Sequence, residues 1–195
     1  RSAADNLTPC SFELGGKSPC IVLEDADLEL AASLAVEQYD NAGQVCLSGT
    51  RILVHENIAE AFAEAFRAKA ASLKQGDPRD PESDIGPQVH QVHFDRIKGF
   101  VDRAAADGAN IVMGGEPNAE LGGLYFKPTL VRQPEPGSEI VTQEVFGPVL
   151  TMQTFSTDDE VVALANGTEF GLAAILVSGN RAHADAITKQ LVAGT

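Results

Sequence analysis

Three side chains in this sequence sit where their chemistry could be put to use. Cys46 lies in "NAGQVCLSGT" (41–50), a run of small and polar residues in which Gly43 and Gly49 permit unusual backbone angles and nothing bulky shields the thiol from one side. A thiol serves as a nucleophile when it is exposed and close to positive potential, such as backbone N–H groups. Otherwise a free cysteine is a small buried hydrophobe, and local context leaves both readings open. Glu13, in "SFELGGKSP", stands between Phe12 and Leu14 and is followed by two glycines. A carboxylate with apolar neighbours can be raised toward neutrality and act as a general base, whereas an exposed strand-end acid would do no chemistry. Glu144, in "QEVFGPV", precedes Phe146 and a Gly-Pro turn, so it could be aimed from a fixed corner at a sugar hydroxyl or a cation.

The remaining candidates are weaker. Cys10, in "LTPCSF", and Cys20, inside an apolar run, read as packing residues. His90 and His93 share a helix face, but no third ligand of suitable type lies nearby, so a solvated face is expected rather than a metal site. The paired glycines at 15–16, 114–115 and 122–123 fit neither a GxGxxG nor a GxxxxGK[ST] phosphate loop and read as turns.

Side chains of this kind need a frame, and 195 residues with 44% hydrophobic content are enough for one sizeable core. A formal charge of −14 repels phosphate backbones and anionic lipid surfaces, so neither nucleic acid nor membrane is expected as a partner. No apolar run approaches a membrane span and no signal-peptide pattern opens the chain, which suggests a soluble, cytoplasmic protein. Three cysteines without CxxC spacing suit reduced thiols.

Along the chain, short apolar runs alternate with helical spacing. "SPCIVLED" (18–25) reads as a buried strand, and "ADLELAASLAVEQY" as a helix with Leu30, Leu34 and Ala35 inward. "RILVH" is the next strand, and Asn57 with Glu60 suggests a capping box opening a second helix. Pro87 is placed in the first turn of a third helix, with Val89, Ile97, Phe100, Val101 and Ala104 on one face and Gly108 as its stop. Strands are expected at "NIVMGG", near "PVLTMQTF" (148–155) and at "LAAILVS" (172–178), with an irregular Gly-rich and Pro-rich arm containing "YFKPTLV" (125–131) after the first of them. Helices are expected over 158–165 and after Asn180. Strands alternating with helices indicate βαβ crossovers, hence an α/β fold: a three-layer α/β/α domain with a mostly parallel sheet.

"FELGGKSP" (12–19), "NAGQVC" (41–46), "EVFGPV" (144–149) and "NGTEFGLAA" (166–174), in this order, together resemble the catalytic half of the NAD(P)-dependent aldehyde dehydrogenases, over the whole length. The resemblance implies roles. Cys46 would attack an aldehyde to form a thiohemiacetal and then a thioester, and Glu13 would activate the water that hydrolyses it. Glu144 would hold the nicotinamide ribose, Phe146 would line the nicotinamide pocket, and the backbone at Leu14 would lie beside the carboxamide. The Cys46 N–H would supply half of an oxyanion hole. The cofactor would be NAD or NADP, the substrate a small aldehyde, and the full-length protein a homo-oligomer. Residues 1–195 would be a catalytic domain without the preceding dinucleotide-binding domain and the C-terminal tail, and inactive alone. Relatives that pass the thioester to coenzyme A generally lack a carboxylate at the position of Glu13, so hydrolysis is favoured over acyl transfer. A non-catalytic α/β structural module is the other alternative.

Overall fold

Successive side chains of a strand point to opposite faces of its sheet, so a strand covered on both sides should be apolar at every position. β1 (Pro19–Val22) meets that condition, and β2 (Arg51–His55) meets it over its three middle residues, Ile52, Leu53 and Val54. Cys20, Val22, Ile52 and Val54 pack beneath α1 (Leu28–Val36) and α2 (Ala59–Ala70). Their neighbours Ile21, Leu23 and Leu53 face α5 (Asp158–Ala165) and α6 (Arg181–Thr188) on the other side. A third cluster joins α3 (Gln91–Ala106) and the short α4 (Glu139–Thr142) to Val131 and Val149. The computed structural model describes residues 1–195 throughout and shows the expected three-layer α/β/α arrangement.

The remaining strands are β3 (Asn110–Met113), β4 (Thr129–Arg132), β5 (Val149–Phe155) and β6 (Ile175–Val177), and the sheet order is β3-β4-β5-β2-β1-β6. All neighbouring pairs are parallel except β3 with β4. Pro19 is level with Arg51, Arg51 with Thr151, and Cys20 with Ile175.

Helix ends follow local chemistry where a short polar side chain precedes the first turn. Asp27 accepts from the N–H groups of Glu29 and Leu30, Thr157 from Glu160, and Asn180 from His183. Elsewhere the sequence expectations need correction. Leu30 is 52% exposed, and α1 buries Ala31, Ala32, Ala35 and Val36 instead, small residues that let α2 approach closely. No capping box forms at Asn57 and Glu60. Asn57 reaches Glu24, and a single 3-10 turn capped by the His55 ring leads into α2. α3 begins at Gln91 rather than at Pro87, because the His90 ring accepts from the His93 N–H and caps the helix there; Val89 lies outside it, 70% exposed. Gly108 does stop α3, at φ +85°.

One buried cation ties these pieces together. Arg51, at the start of β2, is only 2% exposed. Its Nε donates to the Lys17 carbonyl at 2.8 Å, and its two terminal nitrogens donate to the Leu164 and Ala165 carbonyls at 2.6 Å each. Those two carbonyls end α5, where the helix dipole is negative, so the guanidinium is solvated by backbone rather than by a carboxylate. Burial still lowers its pKa to about 10, which leaves it charged at neutral pH. Arg51→Leu should cost about 3–5 kcal/mol, since three carbonyls would lose their donor in a dry environment. The midpoint of urea unfolding, compared at equal slope, measures that loss.

Candidate active site

Because β1, β2, β5 and β6 are parallel, the chain enters all four from the same edge of the sheet. The segments leading into them contain "FELGGKSP", "NAGQVC", "EVFGPV" and "NGTEFGLAA". Four stretches far apart in sequence are thereby neighbours in space.

Their meeting point is Gly15–Gly16. The Gly16 N–H donates to Glu144 Oε1 at 2.9 Å, and the Glu144 carboxylate lies over Gly15 where any Cβ would collide with it. On the other side, a Cβ on Gly16 would sit 2.5 Å from the Cys46 carbonyl oxygen and 3.3 Å from Leu172. Gly16 is therefore required by contact, since the Cys46 carbonyl is backbone, while a Cβ at Gly15 would push the Glu144 carboxylate from its place beside the Gly16 N–H.

The thiol loop has a strained lead-in. After α1 the chain continues as a 3-10 segment (Glu37–Gly43) in which Asn41, Ala42 and Gly43 are successively left-handed, at φ +49°, +56° and +72°. For Asn and Ala this conformation costs on the order of 1 kcal/mol each, and it persists only when surroundings enforce it. Here Gln88 donates to the Ala42 carbonyl at 3.1 Å, and Gly43 packs so closely on the Gly147 carbonyl that no Cβ fits. The Gln44 side chain accepts from the Val89 N–H at 3.0 Å, and the Gly49 N–H is held by Gln38 at 2.6 Å. The Cys46 side chain emerges half-buried with a free thiol, and its N–H has no acceptor within the chain. Cys10 is exposed. Cys20 is fully buried, and burial pushes its thiol up to about 12, so it is inert.

Glu13 and Leu14 sit immediately before the glycines on an exposed stretch, with Phe12 73% and Leu14 67% exposed. The apolar neighbours that were to desolvate Glu13 thus face solvent here. Phe12, Leu14, Gly15, Phe170 and Leu172 line an open groove of about 420 Å³ beside the meeting point. Phe146 is half-buried and left-handed, at φ +59°.

Two features beside the candidate site escaped the sequence reading. His93, expected on a solvated face, directs Nε2 to the Phe146 carbonyl at 2.6 Å, and Arg96 donates to the carbonyls of Val145 and Glu144. Lys17, directly after the glycines, is 2% exposed. An arginine or histidine three residues from its neighbour on a helix carries no signal of what lies opposite, and Lys17 looks like any strand-edge lysine.

The whole chain, residues 1–195, matches the model of the aldehyde dehydrogenase family. The chain belongs to that family. It is 39% identical, over 195 residues, to a betaine aldehyde dehydrogenase of Cereibacter sphaeroides, and 38% identical over 198 residues to a 3,6-anhydro-alpha-L-galactose dehydrogenase of a Vibrio species. All of this chain is covered in both comparisons, against 40% and 41% of those proteins. Among solved structures, an NAD-dependent aldehyde dehydrogenase from Sinorhizobium meliloti superposes with a TM-score of 0.94 at 40% identity, over 98% of this chain and 38% of that one. A betaine aldehyde dehydrogenase from Staphylococcus aureus in complex with NAD+ gives 0.93 at 38% identity, over 99% and 39%. The chain thus spans about 40% of the length of these curated relatives.

Lys17 yields a pH test. Burial, then the neighbouring Arg51, lowers its pKa from 10.5 to about 7, with Glu144 opposing and Arg96 adding to the shift. Between those two values the unfolded chain holds a proton that the native one has released, so this lysine makes stability rise with pH. Below about 7 both states hold it and the full penalty of a buried ammonium remains. The stability of Lys17→Met relative to the native protein should therefore fall by roughly 3 kcal/mol between pH 6 and pH 9.5, read from urea unfolding at each pH.

Proposed function

We propose that this chain is the catalytic half of an NAD(P)-dependent aldehyde dehydrogenase, in which Cys46 and Glu13 carry an aldehyde to its carboxylic acid. Family membership supports the reading. The single observation that carries it is the contact of the Cys46 loop and the Glu144 carboxylate with the same glycine pair.

In this reading the Cys46 thiolate attacks the aldehyde carbon and forms a C–S bond, while the carbonyl oxygen takes up charge beside the Cys46 N–H, which has no acceptor within the chain. NAD(P), when bound, supplies the hydride acceptor. The half of it that these residues suit is the nicotinamide ribose: Glu144 Oε1 is committed to Gly16, and Oε2 remains as an anionic acceptor for sugar hydroxyls. Phe146 and the backbone at Leu14 then border the nicotinamide. Departure of the hydride converts the thiohemiacetal on Cys46 to a thioester. Glu13, on its exposed stretch, takes a proton from water as the water oxygen attacks that thioester, the C–S bond breaks, and the thiolate leaves with release of the acid. The adenosine and diphosphate binding, the rest of the substrate tunnel and the oligomer contacts are assigned to the remainder of the longer protein. The substrate class is a small aldehyde, as the relatives' names imply for them.

Two outcomes are expected. Iodoacetamide near neutral pH should alkylate Cys46 at least tenfold faster than Cys10, although Cys10 is the more exposed thiol, with Cys20 slowest; peptide mass spectrometry gives the three rates. Equal rates at Cys10 and Cys46 would remove the case for an activated nucleophile. In the longer enzyme, Glu13→Gln should leave the first-turnover burst of NADH in place and slow steady-state turnover about 10²-fold or more, measured at 340 nm. If the burst and the steady state both matched the native enzyme, Glu13 would not be the base.

A further inference from the structure

The carbonyls of Glu144, Val145 and Phe146 are all taken by side chains of α3. Arg96 donates to Glu144 and Val145 at 2.6 Å each, and His93 Nε2 lies 2.6 Å from the Phe146 oxygen. His93 and Arg96 stand three apart, on one face of the helix, and the next residue of α3 completes the template. A Cβ on Gly147 would fall 2.5 Å from Ile97, so Gly147 lies flush on that side chain. The His93 and Phe146 rings meet edge to face, with centroids 5.8 Å apart.

A carbonyl oxygen can only accept, so the proton of this imidazole is on Nε2. Burial, helped by the nearby Arg96 guanidinium, lowers the His93 pKa against the opposing hydrogen bond to Phe146, which favours the neutral ring. The bond matters because of what it restrains. Phe146 is a non-glycine residue at φ +59°, and such a residue relaxes to the right-handed or extended region unless its surroundings forbid it. Relaxation would rotate the Phe146 peptide and carry the ring off its present position.

We propose that His93 is a positioning residue for hydride transfer: its Nε2–H holds the Phe146 carbonyl, keeps Phe146 left-handed and thereby fixes the ring at the cofactor side of the site. The proposal rests on the reading that Phe146 borders the nicotinamide. Arg96 registers the Glu144 and Val145 carbonyls of the same segment, and His93 holds the carbonyl of Phe146 itself. Loss of this restraint should act first on the cofactor-dependent step; the thiol loop touches the same segment where Gly43 meets the Gly147 carbonyl, but it keeps its own hydrogen bonds through Gln88, Gln44 and Gln38.

The test compares His93→Leu, which has no donor, with His93→Gln, which keeps one. Hydrogen exchange of the 195-residue chain should be faster in the peptide spanning 143–149 for His93→Leu, near native for His93→Gln, and unchanged over 41–49 in both. In the longer enzyme, His93→Leu should slow the NADH burst about tenfold and raise KM for NAD, with KM for the aldehyde little changed and His93→Gln recovering most of the rate. The rate of Cys46 alkylation without cofactor should stay within about twofold of native. Native exchange over 143–149 in His93→Leu would overturn the proposal. So would a native burst despite faster exchange, or a parallel fall in Cys46 alkylation, which would mark general loss of structure. A native enzyme with no NADH burst would instead sink the functional reading, and the exchange data would still decide whether His93 holds Phe146.

Discussion

Two missing Cβ atoms hold the candidate site together. At Gly15 the space belongs to the Glu144 carboxylate, and at Gly16 it belongs to the carbonyl of Cys46. A methyl on Gly16 would approach a backbone oxygen to 2.5 Å, and that oxygen cannot rotate away as a flexible side chain could. The thiol loop would have to move as a body. Displacements near 1 Å between reacting groups can cost about 10²-fold in rate, so the glycine pair is a spacing element as much as a hinge of the chain. The same logic recurs one layer out, where Gly43 rests on the Gly147 carbonyl and Gly147 rests on Ile97. Cys46, Glu144 and Phe146 are thus indexed to one another through a chain of backbone contacts in which side chains have been removed.

That indexing works because the sheet delivers the loops to one edge. In open α/β sheets ligands generally collect beyond the carboxyl ends of the strands. Here the glycine-rich segments lie at the amino ends of β1, β2, β5 and β6, and the parallel register of Pro19, Arg51 and Thr151 sets them side by side. Strand entry suits the task. A loop entering a buried strand is anchored at its far end by apolar packing on both faces, and Ala42, itself buried in the cluster with α1 and α2, is held left-handed by that packing.

The layers were legible in the sequence because apolar runs such as "SPCIVLED" and the helical stripe of Ile97, Phe100, Val101 and Ala104 carry their periodicity locally. The helix over 158–165 was legible to the residue, since Thr157 caps its first turn and three acidic side chains follow. Boundaries failed where a distant or unusual partner intervened. A histidine ring displaced both the Pro87 start and the Asn57 capping box, and histidine is not a common cap residue. The convergence of Gly15, Gly16, the Cys46 carbonyl and Glu144 was not readable from spacing, because sequence distance says nothing of which strand edge a loop enters. Only likeness to a family joined them beforehand. His93 and Arg96 lay beyond both routes, since their partners are backbone carbonyls, which every residue has.

The charge distribution follows from the same construction. The chain carries −14 overall, which repels anions at long range, yet Lys17, Arg51 and Arg96 gather at the strand-entry edge around Glu144. Arg51 and Arg96 spend their hydrogen bonds on backbone carbonyls, so neither charge is cancelled by a carboxylate. Glu144 is the one acid whose field opposes burial at Lys17. A buried cation solvated by carbonyls keeps a field that an ion pair would quench, and in a low-dielectric setting that field reaches several ångströms. At Lys17 the field of Arg51 therefore outweighs that of Glu144, and Arg96 adds to it. That offset comes from side chains whose first duty is to hold the backbone.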